Sequence, residues 1–285
     1  DARNAASLPP APASVVCGDY AVNTTQARAW PYAPGTDYAK RLPPLADKTI
    51  GDLLTDKIID WAWYSGGWDN AEGNTSGKGW TNGAGGACSD PNANPQTVGG
   101  VLRCPDKNFQ YHHQAFNYFA AYAPGTDARK AHLLDEAEFI DAARNGKLKA
   151  VSFVKPLGAD NEHPGYASEA TGSNHLVEFV DAIVKGPDAR KTLIVITYDE
   201  FGGAWDHVPP PPHNIDKSAP SDQWGPGTRI PALVISARFR RSGVDSQAHD
   251  TTSVLKLIEE RFGLPSLSSR DAAVRSLSTA VDIAR

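Results

Sequence analysis

Two acidic residues directly follow the most apolar stretch of the chain. Residues 192–198, Thr-Leu-Ile-Val-Ile-Thr-Tyr, predict a strand, and Asp199 and Glu200 stand at its carboxyl end. Consecutive strand residues point to opposite faces unless the backbone turns, and Gly202 with Gly203 permits such a turn. The two carboxylates could then approach one cation. The pattern therefore predicts ligands of a divalent metal ion, with a helix cap or a solvated turn as the alternative.

The same loop contains a further acidic residue and a histidine. Asp206 and His207 precede four prolines at residues 209–212, which cannot donate hydrogen bonds to a sheet. His207 is either a metal ligand or a partner that orients a ligand from outside the ligand set, and we favour the second role. We assign Asp206 to the same outer position.

Three more histidines lie in loops that we expect to converge. His163 follows a strand predicted at residues 150–154, and His112 and His113 are neighbours after an aromatic stretch. Ligands of parallel α/β sheets bind beyond the carboxyl ends of the strands, so His163 is expected to approach Asp199. The His112–His113 pair could donate two hydrogen bonds to an anion or bind metal through one ring; the alternative is a structural pair.

Carboxylates and histidines at strand ends are typical of a metal-assisted site for an anionic oxygen ester. A cation and protonated imidazoles can stabilise the charge that develops on the ester oxygens. The sequence has neither the Gly-x-Ser-x-Gly turn of many serine hydrolases nor a glycine-rich phosphate loop followed by Lys-Ser or Lys-Thr. The residues thus indicate the metal and anion chemistry but not the nucleophile.

The elements that would carry these residues alternate between helix and strand in the second half. Helices are predicted at residues 134–146, 173–184 and 250–262, and strands at 150–154, 192–198 and 230–236. This alternation predicts an α/β fold with a mostly parallel sheet and helices on both faces, in three layers.

One strongly periodic segment stands out in the first half. Apolar residues recur at helical intervals over residues 49–64, and Thr49 with Asp52 forms a capping box at its start, so we expect one helix there. We expect the whole chain, residues 1–285, to be the C-terminal part of a single domain. Its parts are an irregular lead-in, a long loop insertion and an α/β core, at residues 1–48, 66–108 and 109–285.

The composition excludes several other classes of protein. The chain of 285 residues is 40% hydrophobic and 21% charged, which is typical of a globular protein, and its formal net charge is −5. A negative net charge argues against binding to a nucleic acid backbone. No stretch approaches the roughly 20 apolar residues of a membrane span. We therefore expect no nucleic acid partner and no transmembrane segment.

The three cysteines allow one disulfide. Cys88 and Cys104 flank a loop rich in Gly, Asn and Pro that a bridge could close, but two separate thiols remain the alternative. Cys17 would then be buried and inert or paired outside these residues. The cysteine spacing fits no zinc site.

Ordered blocks along the chain resemble the phosphoesterase family of bacterial acid phosphatases and phospholipases C, a branch of the alkaline phosphatase superfamily. The tryptophan-rich block and the His112–His113 pair are more similar to the acid phosphatases. The similar blocks are residues 49–52, 61–68, 109–113, 151–156, 161–165, 197–203, 206–208, 224–231, 250–255 and 261–265.

The resemblance implies a fold, a site and an activity. The fold would be an alkaline phosphatase-type α/β/α sandwich. One divalent metal ion, of unspecified identity, would be held partly by Asp199 and Glu200, and His112, His113 and His163 would line the phosphate pocket. The implied activity is acid phosphatase hydrolysis of phosphomonoesters through a phosphoserine intermediate, and the alternative is phospholipase C-type phosphodiester cleavage.

The sequence departs from the family in one respect. The family carries its nucleophilic serine, another pocket histidine and an acidic–Asn metal-binding pair in an amino-terminal half, and no matching segment occurs here. We therefore expect this chain to be the carboxyl-terminal portion. Either the N-terminal half of the same protein accompanies it as a cleaved partner, or the chain is incomplete and its site is half built. The family also implies export to the periplasm or beyond, which suits a Cys88–Cys104 bridge.

A non-catalytic reading rests on the tryptophans. Trp61, Trp63, Trp68 and Trp80 could form an aromatic platform that binds a ligand without chemistry. The alternative is that Trp61 belongs to the core at a packed helix end.

Overall fold

The chain forms two compact units. The computed structural model describes residues 25–32, 36–73, 96–98, 101–103, 109–165, 167–210 and 227–284. We call one unit the sheet unit, Thr25–Asp47 with Ile58–Thr192, and the other the tail unit, which contains Asp1–Thr24, Lys48–Lys57 and Leu193–Arg285. Cys17, Trp80 and the predicted Cys88–Cys104 bridge lie outside the described residues.

Helices and strands alternate along the described chain. The strands are β1 Trp61–Ser65, β2 Gln96–Val98, β3 Val101–Arg103, β4 Leu133–Asp135, β5 Val151–Lys155, β6 Ile194–Thr197 and β7 Ala232–Ile235. The helices are α1 Ile50–Asp56, α2 Trp68–Glu72, α3 Asp127–His132, α4 Glu136–Arg144, α5 Glu169–Val184, α6 Thr252–Phe262, α7 Ser269–Ala273 and α8 Ser278–Ala284. No helix of the described ranges is long and apolar enough to cross a membrane.

A parallel sheet of three strands organises the sheet unit, in the order β4-β1-β5. Ser65, at the carboxyl end of β1, pairs in register with Asp135 of β4 and Lys155 of β5. The three carboxyl ends therefore lie at one edge of the sheet, where ligands bind in α/β proteins. The predicted α/β class is confirmed, whereas the three-layer sandwich stays a prediction.

Aromatic side chains cover β1 on both faces. Tyr64 packs against Phe139 of α4 at 5.4 Å between ring centroids, and Phe139 in turn contacts Phe179 of α5 at 5.7 Å. On the opposite face, Trp61 contacts Phe116 at 4.8 Å. Trp61 is fully buried, so the core alternative holds for it. An exposed platform is wrong for Trp61, and also for Trp68, which is 3% exposed.

The single helix expected over residues 49–64 is wrong. The capping box of Thr49 and Asp52 is present, but α1 ends at Asp56, and Ile58 has a φ of 58° that no right-handed helix accommodates. The next apolar residues form strand β1. Bulky aromatic residues favour strands, and a parallel partner on each side stabilises them there.

The tail unit contains strands β6 and β7, which pair antiparallel. The mostly parallel sheet expected through the second half therefore does not extend to them. An antiparallel pair needs no helical crossover, and the intervening residues 209–212 are prolines. β5 pairs with β1 in the described structure, and the expected approach of His163 to Asp199 stays a prediction.

Other predicted elements hold with shifted ends. The helix predicted over 134–146 begins later, because residues 133–135 form β4, and α5 starts earlier than expected, at Glu169. The stretch predicted as a long loop at 66–108 contains α2 and the antiparallel pair β2–β3. The partition into one domain with three parts stays a prediction.

Candidate active site

The His112–His113 pair sits in a short 3-10 helix, Tyr111–His113, in the sheet unit. His113 is buried and His112 is half-buried, and their rings meet edge to face with centroids 4.7 Å apart. The backbone carbonyl of His113 accepts a hydrogen bond of 2.7 Å from Nε1 of Trp63. The pair is thereby tied to the central strand β1.

His163 lies in the loop that leaves the carboxyl end of β5. The backbone N–H of His163 donates to Oδ1 of Asn161 at 2.9 Å, and its ring Nδ1 is 2.7 Å from the carbonyl oxygen of Pro164. A carbonyl oxygen can only accept, so Nδ1 carries a proton. The side chain is exposed, as expected for a residue that binds a ligand from solution.

Asp199 and Glu200 follow β6 in the tail unit, and both are exposed. Gly202 and Gly203 have φ values of 62° and 71°, so the turn predicted after the acidic pair is present. The N–H of Gly202 donates to Oε2 of Glu200 at 2.5 Å. The turn itself therefore holds one carboxylate oxygen of the pair.

Asp206 makes an ion pair that the sequence did not suggest. Nε and Nη2 of Arg229 donate to its two carboxylate oxygens, each at 2.8 Å, and the N–H of Val208 donates to Oδ1 at 3.0 Å. The Arg229 guanidinium holds the pKa of Asp206 well below its usual range. Arg229 was missed because it is separated from Asp206 along the chain, although it lies in a block that resembles the family. His207 is exposed.

Asp199 and Glu200 could supply part of the ligand set of a divalent cation. Asp199 and Glu200 offer carboxylate oxygens, which Ca²⁺ and Mg²⁺ prefer. Within the ranges that the structure describes, no group of three or more His, Cys, Asp or Glu side chains could hold a metal ion. Two carboxylates fit as partial ligands. The histidines belong to the sheet unit and the acidic residues to the tail unit.

Comparison with known proteins places all the histidines and acidic residues just described within one family match. The Phosphoesterase family model matches residues 23–265, which is most of the chain. The chain belongs to the Phosphoesterase family. Cys88 and Cys104 also fall within the residues matched.

Relatives of this chain include phospholipases C from bacteria and a plant. It is 33% identical to phospholipase C B of Mycobacterium tuberculosis over 168 residues, 52% of this chain and 32% of the relative. It is 33% identical to non-hemolytic phospholipase C of Burkholderia pseudomallei over 138 residues, 42% and 20% of the two chains. Non-specific phospholipase C6 of Arabidopsis thaliana is 30% identical over 164 residues, 48% and 31%. The matches span about a third or less of these relatives.

Proposed function

We propose that this phosphoesterase is part of a metal-dependent hydrolase of phosphate esters. One observation carries the proposal: the family match covers all five residues to which we assign chemistry, three histidines and two adjacent carboxylates. Imidazole N–H groups can bind phosphate oxygens, and carboxylates can hold the cation that neutralises them. The resemblance to the family also supports export of the protein to the periplasm or beyond.

Each group would have a distinct task. Asp199 and Glu200 would hold a divalent cation, which when bound would polarise the phosphoryl group. His112 and His113 would donate hydrogen bonds to the phosphate. His163 would act as the imidazolium: Nδ1–H would stay bonded to the Pro164 carbonyl oxygen, and Nε2–H would bind phosphate and then protonate the leaving group. The attacking serine, which would form a phosphoserine, would come from the N-terminal half of the same protein.

Two substrate classes are candidates. The tryptophan-rich block and the histidine pair support phosphomonoesters, as in acid phosphatases. The relatives are named phospholipases C, which supports cleavage of phospholipid diesters as the second candidate. Hydrolysis of p-nitrophenyl phosphate and of p-nitrophenyl phosphorylcholine by the protein isolated from its source, with any polypeptide that accompanies it, would separate them. Chelator-resistant hydrolysis of both would contradict the metal requirement.

Substitution of Asp199 tests the cation site directly. Asp199→Asn removes one anionic ligand, so we expect Mn²⁺ affinity measured by calorimetry to fall at least tenfold and chelator-sensitive turnover to be lost. The melting temperature should change little, because Asp199 is exposed. Glu260→Gln, which neutralises an exposed acidic residue on α6, is the matched control. Equal Mn²⁺ binding by Asp199→Asn and the wild type would exclude this cation site.

A further inference from the structure

The loop that carries His163 contacts helix α5 closely at one glycine. Gly172 is buried in the first turns of α5, and a Cβ built on it would lie 2.2 Å from Cγ of Glu162 and 2.8 Å from the backbone N of Glu162. Real Cβ atoms do not approach other atoms so closely. Only glycine therefore lets the loop reach this position on the helix.

Glu162, the residue immediately before His163, is fixed in two further ways. Its φ of 66° lies in the left-handed region, which is uncommon for a residue other than glycine. Its Oε1 accepts a hydrogen bond of 2.7 Å from Oγ of Ser173, the neighbour of Gly172. The side chain thus anchors an unfavourable backbone conformation to α5, and that conformation sets the direction in which the chain enters His163.

The beginning of the same loop is anchored independently. Oε2 of Glu136, a buried residue on α4, accepts from the N–H of Leu157 at 3.3 Å and lies 3.3 Å from Nε2 of His175 on α5. Leu157 is itself 2% exposed. Both ends of the loop are therefore held, at Leu157 and at Glu162, and the position of α5 determines where His163 stands.

We propose that Gly172, Glu162 and Ser173 are positioning residues that orient the His163 imidazole for phosphate binding. The proposal rests on the proposed function, because it takes His163 as a phosphate ligand. It adds that the geometry of His163 is set from α5, through a close backbone approach and one side-chain hydrogen bond. The Nδ1 contact with Pro164 is the local result, since it fixes the ring and presents Nε2 as the second nitrogen.

The first test measures phosphate affinity of the chain by calorimetry with inorganic phosphate. We expect Gly172→Ala to weaken it about tenfold or more, close to the effect of His163→Ala. Ser173→Ala and Glu162→Ala should give smaller losses in the same direction. Glu162→Gln, which keeps an acceptor oxygen for Ser173, should remain near the wild type. Asn174→Ala, an exposed position on α5, is the control.

The second test measures the tautomer of the His163 imidazole by NMR and does not depend on phosphate. Long-range proton–nitrogen NMR spectra should show Nδ1 of His163 protonated in the neutral ring of the wild type, and a mixture of tautomers in Glu162→Ala. If His163→Ala leaves phosphate affinity unchanged, the proposed function fails. If His163→Ala weakens binding while Gly172→Ala and Glu162→Ala change neither affinity nor the tautomer, the positioning proposal alone is wrong.

Discussion

Arg129 is a buried cation that joins three segments of the sheet unit. Its guanidinium donates to Glu72 of α2 at 2.6 Å and to Asn117 Oδ1 at 2.7 Å, and it also donates to the carbonyl oxygen of Trp30. It stacks over Trp68 at 4.7 Å from the ring centroid. Arg129 is only 4% exposed, so these contacts replace water around a charge that cannot be neutralised.

Removal of this charge should destabilise the sheet unit strongly. Arg129→Met leaves Glu72 and Asn117 without their donor, and we expect the free energy of unfolding in urea to fall by about 3 kcal/mol. Arg144→Met is the matched control. Arg144 forms an exposed pair with Glu178 at 3.1 Å, and its loss should cost less than about 1 kcal/mol. Equal effects of the two substitutions would mean that the Arg129 contacts contribute little.

The turn that follows the proposed metal ligands could be predicted from the sequence, because it depends on a few neighbouring residues. The turn after Asp199 and Glu200 follows from two adjacent glycines, and both glycines have positive φ. The Asp206–Arg229 pair could not be predicted, because it depends on the pairing of β6 with β7. A turn is determined by residues that are neighbours in the sequence, whereas an ion pair between two elements depends on the tertiary structure.

At the scale of elements, periodicity alone could not separate α1 from β1. Apolar residues at helical spacing run through residues 50–61, yet the helix ends at Asp56 and the strand begins at Trp61. The strand conformation is stabilised by pairing with β4 and β5, which a periodicity argument does not include. The cap at Thr49 was predictable, because the capping box involves only residues three apart.

Helices α6 and α7 of the tail unit meet at two buried carboxyl groups, Glu259 and Asp271. Oδ2 of Asp271 accepts from the N–H of Leu267 at 2.7 Å, and Oε2 of Glu259 accepts from Oγ of Ser266 at 3.2 Å. Burial and a hydrogen bond with Asp271 raise the pKa of Glu259 to about 7. Burial opposes ionisation of Asp271 too, but its hydrogen bonds, beginning with that from Glu259, leave its pKa lowered. These opposite directions predict that the two carboxyl groups share one proton.

This shared proton predicts a pH-dependent stability. The pKa of Glu259 is 4.5 in its ordinary state and about 7 when folded, so the folded chain binds more protons between these values. Glu259 therefore contributes fully to the free energy of unfolding below pH 4.5, and this contribution is lost as the pH rises through 7. The free energy of unfolding of the wild type, measured in urea, should fall by about 2 kcal/mol between pH 5.5 and pH 8 because of this group.

Glu259→Gln isolates that effect from other titrations. The glutamine amide can donate to Asp271 at either pH, so the variant should lose less stability between pH 5.5 and pH 8 than the wild type does. Glu260→Gln, at the exposed neighbouring position, should behave like the wild type. A Glu259→Gln variant with an unchanged pH dependence would show that no proton is shared.

At the scale of the whole molecule, the residues to which we assign chemistry come from both compact units. The three histidines belong to the sheet unit and the two carboxylates to the tail unit, and the family match runs through both. The motifs that contain these residues could be recognised from the sequence in either unit, because each motif consists of a few consecutive residues. β5 pairs with β1 and β6 pairs with β7, and the expected approach of His163 to Asp199 stays a prediction.

The nucleophile of the proposed hydrolysis is a separate prediction, and we expect it in a segment other than these 285 residues. The family resemblance implies a nucleophilic serine in an amino-terminal half that has no matching segment here, and the matched residues span about a third or less of the relatives. If a serine of another segment attacks phosphorus, the chain should gain no phosphoryl group during turnover of a phosphate ester. Intact-mass spectrometry after an acid quench should then find this chain unmodified, and any phosphoserine in a polypeptide that accompanies it. A chelator-treated sample is the control, because the cation is required before phosphorus is attacked. A phosphorylated serine within this chain would contradict the assignment.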